Sequence, residues 1–429
     1  MSISDKRWDA AVIGGGLAGL TAAVFLAKAG LSVVLLEKSN VLGGRARTMK
    51  KGGGLLNLGV HAFYQDGAGE LILKELGIEL KGANPPPSAV AVRDGSMYPL
   101  PAGPMKLLLS KLFSASGKME LARLMMRLGS MKTGAFPNIS LRDWVESEFG
   151  DPLVREVIYS VCRSNTFVPH PELQLAGPAV RQLQRTFGGK AFYVDGGWAS
   201  LVRELEETAE RLGVVILTGK SVKAIERSGE TLWIRLAGDE TMDVRSVVAT
   251  AAPAQLCNMV ENAEKTSLAD WNRRIRPMTG ASLDLVLRRL PSPKRDFVAG
   301  FWLDRPLFYN NPTSVATMSD DGSVVVHLIK HLGLNPSEPK ADERELEAAM
   351  DLMQPGWRAE ETARQFLPKM TVAYRFQDID NNNIVPGPKV PEIDGLYVAG
   401  DWTFVDEMLA DAALASAKRA ALAVIRERM

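Results

Sequence analysis

The chain has 429 residues, 46% hydrophobic and 24% charged, with 51 Lys+Arg against 50 Asp+Glu and a formal net charge of +1. These proportions exclude a disordered or collagen-like chain, and without a net positive field a protein that coats nucleic acid is not expected. The length predicts two or three domains, while Cys162 and Cys257, far apart and in no CxxC, leave no disulfide framework or zinc cluster and favour a reducing, cytoplasmic location.

Residues 10–27 carry no charge, yet the mixed signs of Asp5, Lys6, Arg7 and Asp9 before them and three consecutive glycines within them argue against a membrane span or signal peptide. The run divides into a buried strand over 8–13, a glycine turn and a helix over 17–29. The turn, Gly14-Gly15-Gly16-Leu17-Ala18-Gly19, has GxGxxG spacing. Gly14 permits the tight turn, Gly16 lets a pyrophosphate approach the backbone, and Gly19 lets helix and strand pack closely. The helix N-terminus turns unpaired N–H groups and its positive dipole end toward the phosphates. Gly30 ends the helix, 31–36 form a second strand, and Glu37 stands where a carboxylate accepts hydrogen bonds from ribose hydroxyls and repels a 2′-phosphate. Together these elements predict a dinucleotide site.

Leu42-Gly43-Gly44-Arg45-Ala46-Arg47 follows, a second close backbone approach joined to a fixed cation. With it the chain resembles the flavoprotein family that contains amine oxidases, protoporphyrinogen oxidases and phytoene desaturases. The resemblance implies FAD, with Gly14, Gly15, Gly16, Gly19 and Gly44 around the pyrophosphate, Arg45 as its ligand and Glu37 on the ribose. Residues 56–63 resemble the strand that brings the chain under the flavin in the desaturase branch; this implies contacts from Gly59 and Val60, and Asn57 stands where that branch commonly has Asp. Residues 192–198, with Gly196-Gly197, resemble the family's re-entry into the cofactor domain. A helix over 199–212 and the stretch 214–225 follow, and Val222 matches a backbone contact to adenine. The strand 395–401 ends in Gly400-Asp401, whose Asp bonds the ribityl chain in the family, and Leu409 opens an Ala-rich helix over 409–425 that faces the pyrimidine end of the flavin. A helix dipole there stabilises the charge a reduced flavin gathers. Ala412-Ala413 and Ser416-Ala417 replace the family's Gly-Ala and Ser-Gly steps. No cysteine lies near this motif, so FAD is expected to be non-covalent.

The motifs fall at both ends and in the middle of the chain. The expected fold class is therefore α/β: a discontinuous Rossmann-like FAD-binding domain from residues 1–82, 193–278 and 388–429, and a mixed helical and sheet substrate domain from 83–192 and 279–387. In the second, 105–184 reads mainly helical, with Ser140 capping 141–149 and Pro152 opening another helix, while 282–287 and 323–329 read as strands and 341–353 as a helix. Asn84-Pro85-Pro86-Pro87 marks the first crossing between lobes.

Among the four histidines, His61 is the candidate catalytic residue, able to move a proton beside the flavin, with a wall role as the alternative. His170 lies between prolines in a loop, and His327 and His331 fall on a strand-to-loop passage, so no metal site is expected. An amine oxidase would carry an aromatic cage and a lysine joined by water to the flavin; Phe301, Trp302, Phe308, Tyr309, Tyr374, Phe376 and Trp402 are candidate tunnel walls or plain core. No second GxGxxG follows a strand, which favours oxygen, a quinone or another acceptor over a nicotinamide donor. Residues 105–132 form a basic amphipathic stretch, suited to an anionic bilayer or to a pair of helices with a solvated basic face. The expected function is FAD-dependent removal of hydride equivalents from a small apolar substrate of the polyene or porphyrinogen kind. The alternatives are an amine oxidase, a non-catalytic flavin-binding protein and an isomerase working on reduced flavin.

Overall fold

The computed structural model describes residues 7–229, 231–381 and 384–428. A seven-stranded sheet holds the opening strand Trp8–Ile13 near its centre, in the order Val215–Leu217, Val33–Leu36, Trp8–Ile13, Thr241–Ala249, Thr231–Leu236 and Val222–Ser228, with Leu396–Val398 pairing Thr241–Ala249 beside this path. The strands around Trp8–Ile13 run parallel, Ala10 opposite Val33 and Ser246, while Thr231–Leu236 and Val222–Ser228 add an antiparallel edge. Parallel strands covered on both faces need continuous apolar runs, which Val33–Leu36 supplies with four buried residues.

The helices Leu17–Lys28, Trp198–Arg211 and Leu409–Arg426 share one core on one face of this sheet. Leu17–Lys28 is buried from Leu17 to Ala27 on every side, which is why its sequence shows small and apolar residues all round rather than a stripe. The opposite face packs against Pro253–Met259 and Ser267–Arg274.

A second seven-stranded sheet runs Glu361–Ala373, Met278–Leu287, Val324–Gly333, Leu307–Asn310, Ala299–Trp302, Ala89–Arg93 and Ser96–Pro99. The helix Pro339–Met353 covers one face. Five helices from Pro104–Leu109 to Ala176–Phe187 cover the other. Their starts are set by side chains that satisfy free N–H groups: Ser114 accepts from Gly117, Ser140 from Asp143, and Asp151 from Leu153 ahead of Pro152 in the first turn. The molecule is thus an α/β Rossmann-like layer joined to a mixed sheet-and-helix layer.

Two local expectations change. The stretch 56–63 is not one strand: Gly54–Asn57 stops, Gly59 turns the chain at φ +82°, and Phe63–Tyr64 resumes in a small sheet with Ala191–Val194. His61 therefore lies in an irregular passage whose turn glycine takes a conformation that side chains disfavour. His327 and His331 do not straddle a strand end; both lie within Val324–Gly333, held between two neighbouring strands, and pairing on both edges outweighs the local polarity of the sequence.

Two predictions follow from this packing. A Cβ on Gly19 would lie 1.8 Å from the Gly14 carbonyl oxygen, so Gly19→Ala is expected to cost about 2 kcal/mol by overpacking, read as a lower urea midpoint with unchanged slope. His331 is stacked on Phe167 with ring centroids 5.6 Å apart, and neither ring nitrogen has a hydrogen-bond partner among the described residues. Burial holds its imidazole well below the ordinary value, with Arg163 adding to the effect. The unfolded chain then takes up a proton below about pH 6.5 that the folded chain refuses, so stability falls on acidification by up to about 1.4 kcal/mol per pH unit. His331→Phe is expected to flatten this slope in urea unfolding between pH 7.5 and 5.5.

Candidate functional site

The opening turn brings backbone against backbone. Gly14 adopts φ +106° and its missing side chain leaves room for Thr250, while Gly19 sits against the Gly14 carbonyl. Gly16 differs: the nearest atom to a Cβ there is the Gly43 oxygen at 3.8 Å, so its open side is a cradle. Gly16 is the N-cap of Leu17–Lys28 and carries no side-chain cap bond, which leaves the first-turn N–H groups to a ligand. The second glycine loop closes on the first, Gly43 N–H donating to the Gly15 carbonyl at 2.7 Å and Gly44 standing at φ +54° against the Gly16 Cα. Glu37, buried at the end of Val33–Leu36, accepts from Gly15 N–H at 2.7 Å and Ser39 N–H at 2.8 Å. Its backbone carbonyl takes Lys220 N–H, bringing the segment before Val222 alongside. The Val222 side chain is buried, next to a register shift that interrupts pairing with the neighbouring strand.

Arg45 and Asp401, far apart in sequence, meet in a bidentate pair with both N···O distances at 2.7 Å. Arg45 also donates to the Val372 carbonyl and lies over the Tyr374 ring, and Tyr374 N–H donates to Asp401. Three of the five guanidinium N–H groups are used in these bonds and the side chain remains 43% exposed, so an edge is left for a phosphate. Gly400, at φ +139°, is clamped by Ser416, whose hydroxyl accepts from its N–H and donates to its carbonyl. Ala412 and Ala417 are fully buried.

Leu409 opens the C-terminal helix at φ +55°, a strained conformation for a branched residue, costing about 1–3 kcal/mol. The first turn of this helix holds Asp411, bonded to Gly69 N–H and paired with Arg185 at 3.0 Å. Burial raises the Asp411 carboxyl above its ordinary value, against the pull of Arg185. A cavity of about 200 Å³ opens beside this turn, lined by Ala68, Arg181, Gln182, Arg185, Met408 and Asp411.

His61 is half-buried; its Nδ1 lies 3.0 Å from the Gly59 carbonyl and its ring meets Trp198 edge-on at 4.9 Å. A carbonyl partner requires N–H at Nδ1, which leaves a lone pair at Nε2. Burial pulls this imidazole below its ordinary value, against the bond to Gly59, so the ring is neutral near pH 7. Val60 packs on the core of the second layer. The Asn57 Oδ1 accepts from Trp198 N–H and the Thr48 hydroxyl, so Asn57 holds the start of Trp198–Arg211, a task its amide oxygen performs as a carboxylate would. Sequence reasoning missed Asp284 and weighed its partner His327 only as a metal ligand; both are fully buried behind Gly59, with Nδ1 and Oδ1 2.8 Å apart. An isolated Asp inside a run of apolar residues was the available signal.

The aromatic candidates are mostly core. Phe301 and Phe308 meet as tilted rings with centroids 5.0 Å apart under the helices, Trp302 and Tyr309 point to the opposite face of the same strands, and Phe376 and Trp402 are buried, Trp402 donating to the Ala251 carbonyl. Tyr374 alone reaches the Arg45–Asp401 junction.

The carotenoid 3,4-desaturase of Haloarcula japonica is 26% identical to this chain over 297 residues, 62% of this chain and 59% of that protein. The chain thus spans about three-fifths of the length of the curated relatives it matches. Among solved structures, an oxidoreductase from Methanosarcina mazei superposes with a TM-score of 0.77 at 18% identity, covering 96% of this chain and 99% of that one. Cyclohexylamine oxidase from Brevibacterium oxydans gives 0.73 at 16% identity, covering 99% and 100%. At these identities the structural likeness establishes the fold alone. The sequence pattern of the flavin containing amine oxidoreductases matches residues 17–275, more than half of the chain, and the protein belongs to that family.

Proposed function

We propose that the protein is an FAD-dependent oxidoreductase that holds FAD non-covalently and removes hydride equivalents from an apolar organic substrate of the polyene, isoprenoid or porphyrinogen kind. The observation that carries this reading is the pair of glycine loops at Gly14–Gly16 and Gly43–Gly44, open at Gly16 and flanked by Glu37 and the free edge of Arg45. Gly14, Gly15, Gly16, Gly19, Gly44 and Arg45 would hold the pyrophosphate, Glu37 the ribose, Val222 the adenine, Asp401 and Gly400 the ribityl chain, and Gly59, Val60 and Leu409 would border the flavin ring. When bound, FAD supplies the hydride acceptor, and oxygen, a quinone or another acceptor drains it. His61 has the proton-accepting role, at Nε2, because Nδ1–H is committed to Gly59. Similarity to a carotenoid desaturase favours a polyene, and oxidation of a C–N bond is the second reading, favoured by the match to the flavin containing amine oxidoreductases. The Asn57 oxygen holds Trp198 N–H, so the departure of Asn57 from the desaturase pattern is no argument for a non-catalytic flavin-binding protein.

The route of an apolar substrate is proposed to pass a membrane surface contacted through residues 105–132. Leu121, Leu124 and Leu128 turn inward, while Met119, Arg123 and Met126 project outward one and two turns apart. Met105, Leu108, Leu109, Met119 and Met126 are 56–77% exposed. Lys118 donates to the Leu108 carbonyl and joins the two helices into one surface. Its single acid, Glu120, is bonded to the N–H groups of Gly150 and Asp151, and among the described residues Lys106, Lys111, Arg123 and Lys132 have no carboxylate partner. Exposed apolar tips among unpaired cations suit anionic headgroups, each cation contributing about 1 kcal/mol. Among the described residues no helix is long and apolar enough to cross a membrane.

Purified protein is expected to carry or take up FAD with the absorbance of a flavin, to lose about tenfold in FAD affinity on Arg45→Ala, and to bleach anaerobically with polyenes or porphyrinogens. A protein that takes up no FAD overturns the reading; peroxide release with amines, and no bleaching with polyenes, moves it to the second. In flotation with phosphatidylglycerol–phosphatidylcholine vesicles at low salt, the protein is expected to rise with the lipid, and Leu108→Asp with Leu109→Asp to abolish this. Wild-type protein that stays at the bottom of the gradient overturns the membrane contact.

A further inference from the structure

Behind the turn at Gly59 lies a buried polar cluster attached to the site. Asp284 is fully buried on Met278–Leu287 and its carboxylate gathers four donors: His327 Nδ1 at 2.8 Å, the Ser282 hydroxyl at 2.8 Å, Gln365 Nε2 at 2.8 Å and, at 3.3 Å, the Gly59 N–H, which it shares with the Asn57 carbonyl at 3.0 Å. Three of these come from the second sheet and one from the passage that carries His61. Gln365 Nε2 also donates to the Asn57 carbonyl, so the cluster grips that passage at two points. The grip is close: a Cβ on Gly59 would lie 2.6 Å from the end of Met370 and 3.3 Å from the Ser282 hydroxyl.

The cluster is costly. A buried carboxylate with its partner is rarely more stabilising than apolar residues of the same volume, and His327 Nε2 and Gln365 Oε1 are buried without a partner among the described residues. Packing alone does not call for it. What it gives that apolar side chains cannot is a directional hold on one backbone amide, with a fixed orientation of the chain on either side.

We propose that Asp284, braced by His327, is a positioning residue that sets the Gly59-Val60-His61 passage against the cofactor. The proposal rests on the FAD reading, and deepens it by naming the support behind the wall that faces the flavin. The groups facing His61 are the Gly59 and Arg45 carbonyls, the Trp198 ring, and the charges or dipoles of Asp284 and His327. Moving the carboxylate therefore changes both the place and the electrostatic surroundings of the His61 ring.

The test is Asp284→Asn in the full-length protein, labelled with 15N-histidine, with His61→Gln used to assign the His61 signals. The amide is isosteric, yet it cannot accept from Gly59 and His327 on both sides, because one of its two ends is a donor. The folded variant is expected to show displaced His61 ring signals and a shifted His61 titration before any FAD is added. Its FAD affinity is expected to fall about tenfold, the scale of one lost charge-assisted hydrogen bond. Gln365→Leu, which cuts the link to Asn57 and leaves the carboxylate with His327, is expected to move the same signals less and serves if Asp284→Asn does not fold. A purely structural role would lower the unfolding midpoint while leaving the His61 signals and FAD affinity as in wild type, and that result overturns the proposal. If wild-type protein takes up no FAD, the cofactor reading falls separately, and the His61 signals alone decide whether Asp284 positions the passage.

Discussion

The site depends on one constraint: two loops must touch through their backbones. Gly43 N–H reaches the Gly15 carbonyl at 2.7 Å, and Gly19 rests where any Cβ would strike the Gly14 oxygen. A Cβ on Gly19 would lie 1.8 Å from the Gly14 oxygen and one on Gly15 2.4 Å from the Leu42 side chain, so side chains there would force the backbone to shift. Once the loops meet, Glu37 is close enough to accept from Gly15, Arg45 is carried toward the second layer, and the helix Leu17–Lys28 is seated with its free N–H groups beside the opening at Gly16. Charge follows geometry here, because the closed backbone fixes where the carboxylate, guanidinium and helix dipole stand.

The two layers are then tied across the site by polar groups rather than by apolar packing alone. Arg45 bridges Asp401, at the end of a first-sheet strand, to Val372 in the second sheet, and Asp284 reaches from the second sheet to Gly59. Paired charges and bonds to backbone amides are directional, so they hold the layers in one relative setting where a greasy contact would tolerate sliding. The strain at Leu409 belongs with this picture: it occurs at the helix start that borders the same region, and the surrounding contacts must hold it.

Much of this was legible along the chain because it is local. Gly14 to Gly19, Glu37 and Gly43 to Arg45 lie within one strand–turn–helix–strand passage, and Ser140 and Pro152 mark helix starts by chemistry that acts over three residues. The reading failed where partners are distant. The stretch 56–63 resembles a strand of the desaturase branch, yet its course is set by Gly59 and by the carboxylate of a residue more than two hundred positions away. Asn57, which departs from the desaturase pattern, looks like a loss until its oxygen is seen holding Trp198 N–H. The aromatic residues Phe301, Trp302, Phe308 and Tyr309 look like a lining by composition, but neighbours on a strand face opposite ways, and both faces of this sheet are covered.

Family, cofactor class and the α/β layer were therefore determined by the sequence itself, since glycine spacing and a terminal acid constrain the backbone within a few residues. Which groups stand together was decided only by the tertiary structure: Arg45 with Asp401, Asp284 with His327 and Gly59, and the exposed apolar tips of residues 105–126. The reason is physical. A motif acts through covalent neighbours whose distances are preset, whereas a buried carboxylate finds its donors, and an apolar side chain its exposure, only when strands remote in sequence are brought side by side.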